Sequence, residues 1–159
     1  DNGQYIKDKD LINSNMMGLT NTAVKREILV EFLPKLSSEV IAFDWLLWTV
    51  LLNSKKNRAK YLSETSTKYR IYSNNIAGFP NEIDEDSLLL GLRIKLSHYK
   101  CLSKVGEVYE NLYNSFAEAQ QMSENRVWLE EYVLALNEQK EKKPLWWENI
   151  KTPKEVGIL

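Results

Sequence analysis

Apolar residues return along this chain at steps of three and four through most of its length, the period of helices laid against a core. In TNTAVKREILVEFL, residues 20–33, Val24, Ile28, Leu29, Phe32 and Leu33 keep that step behind Thr20 or Thr22 as N-cap, until Pro34 discourages continuation. Ser37 or Ser38 with Glu39 opens a second helix, predicted over 38–53, whose centre is the apolar run VIAFDWLLWTVLL. A third is predicted over 84–104. Glu82, Asp84, Glu85 and Asp86 gather at its positive end, Leu88, Leu92, Tyr99 and Leu102 form one stripe, and Leu90, Ile94 and Cys101 form another. Gly106 reads as the glycine closing that helix. Val105, Val108, Tyr109, Leu112, Phe116 and Ala119 then give the cleanest amphipathic stripe, and a last helix opens at Ser123 and Glu124 and ends before Pro144. Residues 55–72 read first as helix, with the alternating TKYRIYS (67–73) leaving a short strand as the alternative, and NNIAGFP (74–80) as a stop.

These elements predict an all-α fold, a single compact helical bundle of roughly five to seven helices. A chain of 159 residues suits one domain, 1–159, with a polar N-terminal arm or short irregular helix at 1–19 and an apolar C-terminal arm at 144–159. Residues 38–53 and 84–104 are expected in the middle of the core, with 107–142 packed across them. Few glycines (6) and prolines (4) agree with helix over sandwich or barrel.

The run at 40–52 carries one ionisable side chain, Asp44. As a helix it covers about 20 Å, short of the ~30 Å needed to span a bilayer, so a buried helix is predicted and no membrane span. On a helical wheel Asp44 lies among Val40, Phe43, Leu47, Trp48 and Leu51, with Ala42 and Thr49 opposite. A carboxylate there is costly unless paired, hydrogen-bonded or protonated. Asp44 is therefore read as a buried structural charge that caps a neighbouring helix or meets an Arg or Lys. A catalytic role is kept as the alternative.

Composition changes this picture at three places. Lys and Arg (21) balance Asp and Glu (22), so an electrostatic partner has to be met by a local patch. The patch is Lys55, Lys56, Arg58, Lys60, Lys68 and Arg70 against Glu64, with Tyr61, Tyr69 and Tyr72 interleaved. Cations for phosphates beside aromatics for stacking are what a nucleic-acid surface needs, so Lys55, Lys56, Arg58, Lys60, Lys68, Tyr69 and Arg70 are the candidate anion-binding set. A solvated face that pairs with acidic segments of the fold or of a partner explains the same residues. Trp146 and Trp147 follow a helix stop and are the candidate partner-binding anchor, unless the tail folds back on the bundle.

Arg93 and His98 in RIKLSH resemble the R-x4-6-H pattern of HEPN-type ribonucleases, which are small helical proteins. The resemblance covers six residues, and Ile94 stands where that family often has a polar residue. It implies a ribonuclease with Arg93 and His98 as its functional pair. On one regular helix, however, five residues place two side chains about 140° apart, so convergence needs a helix break or a dimer.

Cys101 is alone, so no internal disulfide or thiolate metal cluster is expected, and a cytoplasmic or other reducing compartment is. The polar DNGQYIKDKD resembles no signal peptide. Glycine-rich phosphate loops, nucleophile elbows and HExxH are missing from the sequence, which disfavours nucleophilic and metal-dependent catalysis, and no metal or cofactor is expected. The function expected is a non-enzymatic binding or adaptor module with a macromolecular partner, a protein first and nucleic acid second. The ribonuclease is the third reading.

Overall fold

The computed structural model describes residues 4–33, 36, 39–68, 82–139 and 146–158. Five α-helices and one two-stranded sheet stand among them, and the fold is all-α as the periodicity predicts. By its contacts the chain divides into two units, Asp1–Arg70 and Ile71–Leu159.

In the first unit, β1 (Tyr5–Ile6) and a 3₁₀ turn (Asp8–Leu11) precede α1 (Arg26–Phe32), α2 (Phe43–Asn53) and β2 (Ala59–Lys60). The opening segment holds a short 3₁₀ turn, the alternative to an arm. Leu11 is fully buried and Met17 nearly so, and both join Leu47, Trp48, Leu51 and Leu52 of α2 in one cluster. The indole Nε1 of Trp45 donates to the Leu11 carbonyl at 2.7 Å, which satisfies a buried polar group and fixes the 3₁₀ turn on α2.

Helix α1 starts later than the threonines suggest. The Thr22 hydroxyl donates to Asn21 Oδ1 at 3.1 Å, and the helix opens behind Lys25 with no side-chain cap. Likewise α2 begins at Phe43 behind Ala42 rather than at 38, and Ser37 and Ser38 lie outside the described residues. It has no polar face, because Thr49, expected opposite the core, is fully buried with Trp45, Leu46 and Leu47. This is a buried helix as predicted, and no described helix is long and apolar enough to cross a membrane.

The helix predicted over 55–72 does not form in its described part. Lys55 takes φ 56°, a left-handed conformation that ends α2. Ser54 Oγ and Asn57 Nδ2 both donate to the Leu51 carbonyl, at 2.7 and 3.2 Å, and close the turn. The chain then pairs antiparallel with β1 in the register Tyr5 to Lys60 and Ile6 to Ala59. Period-two geometry puts Ile6 and Ala59 against the core and Tyr5 and Lys60 outside. A short strand occurs at Ala59–Lys60, and of the strand alternative at 67–73 residues 69–73 lie outside the described residues.

The second unit holds α3 (Glu85–Leu102), α4 (Glu107–Met122), α5 (Arg126–Gln139) and 3₁₀ turns at Trp146–Asn149 and Pro153–Val156. The acidic cluster is a helix start, as expected: Asp84 is the N-cap of α3, its Oδ1 accepting from the Ser87 amide at 2.8 Å. Leu88, Leu92, Tyr99 and Leu102 are all fully buried, whereas in the second stripe Ile94 is buried and Cys101 is exposed. Gly106 caps the start of α4 in an extended conformation instead of closing α3. Asn125, not Ser123, caps α5, its Oδ1 accepting from the amides of Val127 and Trp128 at 3.1 and 3.3 Å.

Two long-range ties close this unit. The Asn137 side chain exchanges hydrogen bonds with Ile83, Nδ2 to the carbonyl at 2.7 Å and the amide to Oδ1 at 2.9 Å. Tyr132 donates its hydroxyl to the Lys151 carbonyl. In the C-terminal segment Trp147, Ile150, Thr152 and Val156 are buried, as a tail folded back on its helices would have them. Thr152 and Glu155 form a capping box around Pro153, and Gly157 at φ 80° closes the turn in the left-handed conformation glycine favours.

Candidate functional site

The end of α2 and the start of the chain meet at a cleft of about 340 Å³ lined by Tyr5, Ile6, Lys7, Asp8, Leu52, Lys55, Asn57 and Arg58. Each wall has a local cause. Strand pairing sets Tyr5 and Ile6, the 3₁₀ turn sets Lys7 and Asp8, and the turn after α2 sets Lys55, Asn57 and Arg58. The Lys7 amide donates to Asp10 Oδ2 at 2.9 Å and the Lys9 amide to Asp8 Oδ1 at 2.9 Å, so the backbone engages both neighbouring carboxylates. Asn57 is held through Nδ2 on Leu51 and on Ser54 Oγ, which turns its amide into a fixed part of the wall.

Ile6 and Leu52 supply an apolar element, while Lys7, Lys55 and Arg58 bring three cations against the single acid Asp8. A lysine at the left-handed position costs about 1 kcal/mol that glycine would avoid. Such a wall attracts anions, and Arg58 adds a planar fork suited to carboxylate or phosphate.

Of the anion-binding residues expected from sequence, Lys55 and Arg58 line this cleft, and Lys56, Lys60 and Lys68 are exposed on the same segment. Tyr69 and Arg70 lie outside the described residues. Lys7 and Tyr5 were not expected. Their distance in sequence hides them, although the alternation in QYIKD is a weak strand signal.

None of the other candidates is among the residues that line this cleft. Asp44 is half-buried, Oδ1 accepting from the Trp45 amide at 2.8 Å, with Asn15 as a side-chain partner. It is tied to its own helix start and to the preceding segment, not to an Arg or Lys among the described partners. Burial raises its pKa above the usual carboxylate value, and these hydrogen bonds oppose the rise.

Arg93 is exposed and His98 is fully buried, so the two do not meet on α3. Burial first, and the nearby Lys95 charge second, hold the imidazole well below its ordinary pKa of 6.5, which leaves it neutral at pH 7. Its ring stands edge-on to Tyr99 with centroids 5.3 Å apart, and Tyr99 stacks on Phe116 at 5.5 Å. Lys95 is buried too, its Nζ 5.8 Å from the ring centroids of both Phe116 and Trp147. Two aromatic faces thus accommodate the ammonium within the core. Trp147, the candidate anchor unless the tail folds back, is only 4% exposed, which fits the folded-back alternative, and the side chain of Trp146 lies outside the described residues.

Among the described residues no group of three or more His, Cys, Asp or Glu side chains is placed to hold a metal ion. Compared with family models, with curated proteins and with solved structures, the chain matches none of them.

Proposed function

We propose that the protein is a non-enzymatic binding module that grips an anionic macromolecule, single-stranded nucleic acid before protein, through the basic face of its first unit. The observation that carries this reading is the joining of Lys7 to Lys55 and Arg58 around one cleft. The exposed rings of Tyr5 and Tyr61 add the aromatic component that base stacking uses. Protein led at the level of sequence because of the paired tryptophans, and the burial of Trp147 removes much of that support.

A fluorescent uridine decamer titrated at rising salt tests the reading. Binding should weaken steeply as salt is raised, and exchange of Lys55, Lys56 and Arg58 for Glu should abolish it. A partner protein remains a second reading because Val30 of α1 is 62% exposed and Leu33, its C-cap, 41% exposed. Binding of that kind should resist salt and fail on Val30→Asp.

A further inference from the structure

We infer that the cleft between β1 and the turn after α2 is a phosphate subsite whose affinity depends on the ammonium of Lys55, which the left-handed backbone at that residue sets in the wall. The inference deepens the proposed function and rests on it for the source of the phosphate. Three facts meet at one residue. Lys55 lines the cleft, belongs to the most basic stretch of the chain, and is the only described non-glycine residue with positive φ.

The position just after a helix is one that glycine fills at lower cost. Here glycine would remove an ammonium from the wall. Strain kept at a position where a cation faces a cleft is the pattern of a binding site, where local stability is given up for contact with a ligand.

The turn chemistry shows how the conformation is maintained. The Lys55 amide donates to the Leu52 carbonyl at 3.2 Å, while Ser54 Oγ and Asn57 Nδ2 occupy the Leu51 carbonyl. Side chains thus take a carbonyl that the next backbone amide often caps in this type of helix end. The size of the cleft suits one phosphate with part of its sugar, not a duplex. Lys7 and Arg58 complete a three-cation wall, and Tyr5 stands beside it for a base.

The test uses the full chain and two probes, inorganic phosphate and a uridine decamer. Phosphate should shift the amide resonances of Lys7, Lys55 and Arg58 together. Lys55→Gly should weaken phosphate and decamer binding by about fivefold and raise the unfolding temperature by a few degrees. Lys55→Arg should keep the affinity, and Lys25→Ala should change neither property. Shifts spread over all lysines, or Lys55→Gly with unchanged affinity, would overturn the inference. Phosphate bound at the cleft with no tighter binding of the decamer would keep the subsite and remove the nucleic-acid reading.

Discussion

Lys95 in the second unit and Lys55 in the first carry the same charge and are used in opposite ways. Lys95 is buried beneath Phe116 and Trp147 on a long helix whose neighbours are also buried. Lys55 is exposed at the end of an eleven-residue helix, in a backbone conformation that costs stability. The second unit consumes its unusual polar groups in packing: Lys95, His98, Asn149 and Thr152 are all buried there. In the first unit the cations of the cleft face outward. A charged residue near a helix end is thus a candidate for binding only once the structure shows that folding has left it available.

The sharpest way to break this contrast is Trp147→Ala. A buried indole over a cation should cost about 3–4 kcal/mol on truncation, measured by chemical unfolding of the second unit. A cost below about 0.5 kcal/mol would mean that the ring is a surface anchor after all. Asn137→Ala should cost about 2 kcal/mol, because it leaves the amide and carbonyl of Ile83 without the side chain that answers both. Unchanged stability would show that the pairing does not hold the start of α3.

His98 sharpens the comparison through pH. Its folded pKa lies below the ordinary 6.5, so the unfolded chain takes up the proton first as pH falls. Stability contributed by the neutral ring is complete above about pH 6.5 and declines below it, with a slope of about 1.4 kcal/mol per pH unit for one proton. As the only histidine, it can be followed directly by NMR. No titration near its ordinary value is expected. A normal titration curve at pH 6.5 would put the ring in water and reopen its pairing with a substrate.

How much of this was legible depends on the range of the interactions. The buried helix at 43–53, the Asp84 start and the stripe Leu88, Leu92, Tyr99 and Leu102 follow from local periodicity and the helix dipole, and they appear in the structure. TPKEVG carries an equally local signal, a capping box with proline inside and glycine after, which its apolar neighbours mask. Leu11 was not legible, since one leucine in a polar stretch has no period and gains its place from Trp45, 34 residues away. The cleft was half legible. Charge density marked Lys55 and Arg58, but Lys7 reaches them only through strand pairing, which a helix expected over 55–72 concealed.

Asp44 gives the smallest and most discriminating prediction. Its folded pKa is raised by burial above the ordinary 3.8, so the folded state holds the proton more tightly than the unfolded one. Any stability linked to this group is therefore present at low pH and lost as pH rises through the folded pKa, opposite in sign to His98. Asn keeps an oxygen to accept from the Trp45 amide while removing the charge that burial penalises. Asp44→Asn should therefore change stability by less than about 1 kcal/mol at pH 7, towards the stabilising side, and flatten the profile above pH 4. Urea unfolding of both proteins at pH 4 and pH 7 measures this directly. A loss of several kcal/mol at pH 7 would instead require a cation at the carboxylate, and the first unit would then spend a charge in its core just as the second spends Lys95.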